Sequence, residues 1–138
     1  MLGQILAEFP GKVRLVFKDF PLEFHAGARP AAEAARCAAQ SGRYWEYHDL
    51  LFLAQPEFSR EDLIRYAARL GLNREAFTAC LDSGRFRKDV NTDLAEGGAL
   101  GVRGTPTFFI NGRRLVGAHP IETFREAVQD ALEDGGRK

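Results

Sequence analysis

Asn111-Gly112 carries the strongest local instruction in this 138-residue chain. A two-residue hairpin turn of the favoured twist needs positive φ at both central positions, which Asn and Gly tolerate best. The dipeptide lies between a short apolar run, Thr107 to Ile110, and a second run, Arg113 to Gly117. The pattern predicts two strands joined by a tight turn. Just upstream, Gly101-Val102-Arg103-Gly104-Thr105-Pro106 breaks a long helical stretch. Downstream, Pro120 suits a first helical turn, and Ile121, Phe124, Val128, Ala131 and Leu132 form an apolar stripe. Asp134 to Lys138 is expected to fray.

The rest of the chain is mainly helical. Leu2, Ile5, Leu6 and Phe9 fall at i, i+3, i+4 and i+7, and Pro10-Gly11 ends that helix. No capping residue precedes Leu2, so the helix reads as entered in mid-course. Val13 to Lys18 is rich in β-branched and aromatic residues and predicts a strand. Asp19 to Pro30 reads as a connector. Ala31–Gln40 and Tyr44–Ala54 read as helices, the second with Tyr44, Tyr47, His48, Leu51 and Phe52 along one side. Ser59 with Asp62 forms a capping pattern for a helix to Leu70, and Asn73 caps Arg74 to Asp82. Arg85 to about Ala99 is the last helix of the block, weakened near Gly97-Gly98. Residues 31–99 therefore sit between the first strand and the hairpin like an insertion.

Composition narrows the function classes. Nineteen basic residues balance nineteen acidic ones, which gives no reason to expect nucleic acid or an anionic membrane as partner. No apolar run reaches the roughly 18 residues of a membrane span, and no signal-peptide pattern follows Met1. His25, His48 and His119 form no metal-ligand spacing, so no metal is expected. His48 is read as a packed structural residue and His119 as a helper in capping the last helix. No phosphate-binding glycine loop is present, and no cofactor is expected. Arg85-Phe86-Arg87-Lys88 reads as a solvated helix face.

The segment Gly101 to Gly112 (Gly-Val-Arg-Gly-Thr-Pro-Thr-Phe-Phe-Ile-Asn-Gly) resembles the DsbA-like branch of the thioredoxin fold. So do Phe17-Lys18-Asp19-Phe20-Pro21-Leu22, Ala34-Ala35-Arg36-Cys37-Ala38 and Tyr44 to Phe52, in the same order along the chain. The likeness runs from about Leu2 to Leu132. It implies an α/β thioredoxin-like fold with an inserted helical domain. Residues 1–30 and 100–134 would form the thioredoxin core, and 31–99 the insertion. The family's reactive CxxC follows its second strand, which lies between the third and fourth. Measured against that pattern, this chain starts inside the first long helix and lacks the first two strands and the CxxC. Three repairs are open: an N-terminal truncation of a longer protein, direct pairing of 13–18 with 107–110, or an edge supplied by a second chain. An unrepaired gap would leave buried ladder groups costing about 1–3 kcal/mol each, against a net stability of about 5–15 kcal/mol.

Thiol–disulfide exchange needs an attacking thiolate and a nearby resolving thiol. A CxxC at a helix N-terminus supplies both and lowers the first pKa. The two cysteines, Cys37 and Cys80, are 43 positions apart in mid-helix, so no catalytic residue is assigned. They read as two small buried residues, as a redox-active pair, or as the structural disulfide that the family resemblance implies. A bridge would point to an oxidising compartment. The resemblance also implies that the Thr105–Pro106 bond is cis and that these two residues shape the substrate groove. The plainer reading is a proline that starts a strand.

Three functions compete. The first is a thiol–disulfide oxidoreductase domain, acting on thiol- or disulfide-containing polypeptides, whose CxxC is outside these residues and which is inactive alone. The second is a non-catalytic peptide-binding or dimerisation module, since open sheet edges invite a homodimer. The third, a glutathione-dependent transferase or isomerase, would need a serine near the first helix, and none precedes Ser41. The resemblance implies a periplasmic or other extracytoplasmic location.

Overall fold

The structure is a computed structural model that describes residues 2–136. Its elements are α1 (Leu2–Glu8), α2 (Ala28–Ala39), α3 (Tyr44–Ala54), α4 (Arg60–Arg69), α5 (Arg74–Ser83), α6 (Arg87–Ala99), β1 (Thr107–Ile110), β2 (Arg113–Val116) and α7 (Ile121–Gly136). The chain divides into two compact units, 1–18 with 101–138, and 19–100.

The 19–100 unit is helical. On α2, Ala31, Ala34, Ala35 and Ala38 recur at helical spacing and are all buried, so small side chains line the face that meets α3 and α5. Larger side chains fill the remaining core: Tyr47 and Leu51 from α3, Leu63, Ile64 and Tyr66 from α4, and Phe77 from α5. Each buried tyrosine finds an acceptor. Tyr47 Oη donates to the Leu63 carbonyl at 2.8 Å and Tyr66 Oη to that of Glu57 at 2.7 Å. The predicted caps form: Asp62 N–H donates to Ser59 Oγ and Ser59 N–H to Asp62 Oδ2, a reciprocal capping box, while Asn73 Oδ1 accepts from Ala76 N–H.

The other unit packs α1 and the hairpin onto α7. Ile5, Phe124 and Val128 are its buried centre, with Phe9, Val13, Phe108, Ile110 and Leu115 against them. Phe108 meets Phe124 edge-on at 4.7 Å, a favourable ring geometry. Arg125 grips Glu8 with two hydrogen bonds of 2.7 Å. In the antiparallel hairpin Thr107 faces Val116, Phe108 faces Leu115, Phe109 faces Arg114 and Ile110 faces Arg113. Asn111 and Gly112 both have positive φ, +50° and +85°, as the two-residue turn demands.

Several expectations are corrected. Val13–Lys18 is not a strand and joins no ladder; the described sheet has only the strands β1 and β2. Direct pairing of 13–18 with 107–110 does not occur among the described residues. Strand propensity alone does not make a strand, because a ladder needs a neighbour. The second helix begins at Ala28, earlier than Ala31. Pro30 is tolerated in its first turn, where its missing N–H has no intrahelical partner to lose. Residues 19–30 group with the helices, tied there by side-chain bonds described below. The sixth helix starts at Arg87 and runs through Gly97-Gly98, β2 ends at Val116, and α7 continues through Asp134 to Gly136. Arg137 and Lys138, the end of the segment expected to fray, lie outside the described residues.

Candidate functional site

The segment entering β1 is shaped by its glycines and by Pro106. Gly101 has φ +81°, a backbone conformation that selects glycine, with the movable Arg114 guanidinium 3.1 Å from where a Cβ would lie. Thr107 Oγ1 donates to the Gly104 carbonyl at 2.8 Å, which holds the turn closed. Thr105 and Pro106 are exposed, and the bond between them is cis. Pro106 offers no N–H, and its carbonyl accepts from Gly117 N–H at 2.8 Å. No hydrogen bond to the Thr105 amide or carbonyl occurs among the described residues.

That 106–117 bond fixes the outward groups of β1. Antiparallel pairs alternate between hydrogen-bonded and non-hydrogen-bonded. With Pro106 opposite Gly117 in a bonded position, Phe108 and Ile110 direct their amides and carbonyls to β2. Thr107 and Phe109 direct theirs away from it. The side chains alternate as well: Phe108 and Ile110 pack in the core beside α7, and Phe109, 40% exposed, lies on the other face.

Cys37 on α2 and Cys80 on α5 form a disulfide with a Cα–Cα distance of 6.0 Å. Both are buried in the helical core. The bridge and Thr105–Pro106 lie in different units.

A buried polar cluster escaped sequence reasoning. Arg36 Nε donates to Asp19 Oδ2 at 2.7 Å and Arg36 Nη2 to Asp93 Oδ2 at 2.7 Å. The Asp19 amide donates to the same Asp93 oxygen at 2.9 Å. Both carboxylates are buried, whereas Arg36 keeps partial exposure. Burial raises the Asp19 carboxyl above the ordinary carboxylate range, outweighing the Arg36 hydrogen bond and charge. Burial also raises the Tyr44 hydroxyl, with the Asp19 charge adding to it. The available signal was faint: Asp93 is three residues after the fully buried Val90, on the inward face of α6.

His48 packs between Trp45 and Phe52, with ring centroids at 5.3 and 4.7 Å, and its Nδ1 lies 3.1 Å from Asp49. His119 does not cap α7. Its Nε2 donates to the Val116 carbonyl at 2.7 Å and so fastens the β2–α7 loop. Among the described residues no group of three or more His, Cys, Asp or Glu could hold a metal ion, and no helix is long and apolar enough to cross a membrane.

A family model described as Thioredoxin matches residues 1–130. A solved thioredoxin-like oxidoreductase from Silicibacter pomeroyi DSS-3 is similar with a TM-score of 0.79 and 25% identity, over 99% of this chain and 76% of that one. The Na(+)/H(+) antiporter NhaA 3 of Salinispora tropica is 41% identical over 133 residues, 91% of this chain and 20% of that protein. The Na(+)/H(+) antiporter NhaA of Herminiimonas arsenicoxydans is 41% identical over 131 residues, 95% of this chain and 21% of that protein. The chain thus spans about a fifth of the length of these curated relatives.

Proposed function

The chain belongs to the thioredoxin family, with a DsbA-like thioredoxin fold, and from that membership we propose that it is the polypeptide-docking part of a thiol–disulfide exchange domain. The observation that carries the reading is the exposed backbone of Thr105 next to Pro106, unpartnered among the described residues. An extended substrate segment pairs there with the Thr105 amide and carbonyl, as an added strand would. Exchange itself forms one S–S bond as an attacking thiolate displaces another sulfur as thiolate. No CxxC occurs in these 138 residues, and Cys37–Cys80 is a core bridge. These residues alone therefore bind and do not turn over.

Two measurements test this. An insulin-reduction assay on the chain should show no rate above background; sustained turnover would sink the assignment of Cys37–Cys80 as structural. An extended cysteine-bearing peptide should shift the Thr105 amide resonance, and a peptide that leaves it unmoved would remove the docking reading.

The antiporter relatives favour a second reading of context, in which this domain works as a module of an ion-transporter polypeptide. An antibody raised against the chain should then detect a band several times larger than 15.4 kDa in the source cell. A band only at that mass would contradict it.

A further inference from the structure

A small open cleft of about 30 Å³ lies where the C-terminal end of α2 meets the N-terminal end of α5. Its rim is polar and exposed: Gln40 and Ser41 follow α2, and Asn73 caps α5. The lining continues inward to the buried residues Cys37 and Phe77. Cys37 and Cys80 are buried almost equally, 4% and 7% exposed, so exposure does not distinguish the two sulfurs. The cleft does, because Cys37 lines it and Cys80 does not. A space of this size admits a water or the sulfur end of a small thiol, and no loop of a polypeptide. A cation stands at the rim. With its amide oxygen turned to Arg85, the orientation that satisfies both groups, Gln40 accepts from both Nη atoms of the guanidinium. Arg85 is exposed and lies 5.5 Å over the Phe86 ring. No carboxylate pairs with it among the described residues, and Asp82, three positions earlier, is already held by Arg60 through two hydrogen bonds.

We propose that this cleft admits a small carboxylate-bearing thiol that opens the Cys37–Cys80 bridge by attacking Cys37. The thiolate sulfur bonds to Cys37 Sγ, the Cys37–Cys80 bond breaks, and its electron pair leaves on Cys80 Sγ. A second thiolate attacks the external sulfur of the mixed disulfide and releases Cys37 as a thiolate. Each protein thiolate then takes up the proton that a small thiol lost to solvent. Two thiols are oxidised to one small disulfide, and the protein bridge is reduced to two thiols. Arg85 sets the class of thiol, because it attracts a carboxylate at the rim while the sulfur end enters. A polypeptide disulfide does not fit, so the step is one event per chain and adds no insulin turnover. Opening removes the crosslink between α2 and α5 and makes the stability of the helical unit respond to the thiol–disulfide balance around it. The inference is independent of docking at Thr105.

The test treats the oxidised full chain, without denaturant and at low ionic strength, with 3-mercaptopropionate, 2-mercaptoethanol or cysteamine. These thiols carry a negative, no and a positive second charge. Each rate is expressed per thiolate and relative to that thiol's rate with an uncharged model disulfide. Samples are quenched in acid early in the reaction, free thiols are labelled with a maleimide, and peptide mass locates the adduct. Entry through the cleft predicts the adduct on Cys37 and the label on Cys80. The relative rate should be about threefold or more higher for 3-mercaptopropionate than for cysteamine. Arg85→Gln should bring the three relative rates together and leave the adduct on Cys37. An adduct on Cys80, or one divided evenly between the two sulfurs, would overturn the proposal. So would equal relative rates in the unmodified chain, even if Arg85→Gln fails to fold. Reduction seen only at urea concentrations that unfold the helices would show the cleft closed to thiols and overturn it as well.

Discussion

Cutting the Cys37–Cys80 bridge should cost the helical unit a large share of its stability. The bridge joins residues 43 positions apart. On the loop-entropy model a closure of that size removes about 13 cal/mol/K from the unfolded chain, or about 4 kcal/mol at 25 °C. A domain of this size has only about 5–15 kcal/mol in total. The comparison is between oxidised protein, reduced protein and the Cys37→Ala/Cys80→Ala variant, unfolded in urea. Far-UV circular dichroism reports the helices, and Trp45, the single tryptophan, reports α3. With an m-value of about 1.5 kcal/mol/M, the urea midpoint should fall by roughly 2.5 M. The m-value itself should rise, since an uncrosslinked unfolded chain exposes more surface. Intact mass after alkylation without reductant should show no modified thiol in protein kept oxidised. A midpoint drop under about 0.5 M would refute the entropic argument, and two freely alkylated thiols would refute the bridge.

Three further outcomes follow from the structure. Arg36→Met should destabilise by about 3 kcal/mol at neutral pH, because it removes the cation that the buried Asp19 and Asp93 carboxylates share; urea titration measures it, and a loss below about 1 kcal/mol would mean that the Arg36 pairing carries little net stability. The raised Asp19 carboxyl binds its proton more tightly folded than unfolded, so its contribution favours the fold at acid pH and is lost as pH rises through the folded-state pKa above the ordinary carboxylate range; Asp19→Asn should flatten that part of the stability–pH profile, and an unchanged profile would count against it. Ser59→Ala should cost about 1 kcal/mol by removing the α4 cap, read as a shift in the thermal midpoint, with no shift if the capping box carries no weight.

What could be read from the sequence was what neighbouring residues decide. The Asn111-Gly112 turn, the Ser59 and Asn73 caps and the alanine stripe of α2 each depend on side chains a few positions apart. The strand expected at Val13–Lys18 depended on a partner, and β-branched residues say nothing about whether one is adjacent. The Asp19–Arg36–Asp93 cluster was invisible for a related reason. Its members are separated by 17 and 57 positions, and each looks like an ordinary surface charge in its own window. At the candidate site, Thr105–Pro106 could be located from its glycine-rich surroundings. The outward edge of β1 could not, because it follows from the single 106–117 hydrogen bond that sets the phase of the ladder.

The discontinuous unit has a consequence for the order of assembly. Contacts among α2 to α6 connect stretches close in sequence, so that unit can form from a continuous piece of chain. The Glu8–Arg125 grip joins residues 117 positions apart, and the entropy of closing so long a loop must be met before any of its contacts count. Local contacts thus suffice for the helical unit, whereas the hairpin unit needs segments from both sides of it in sequence.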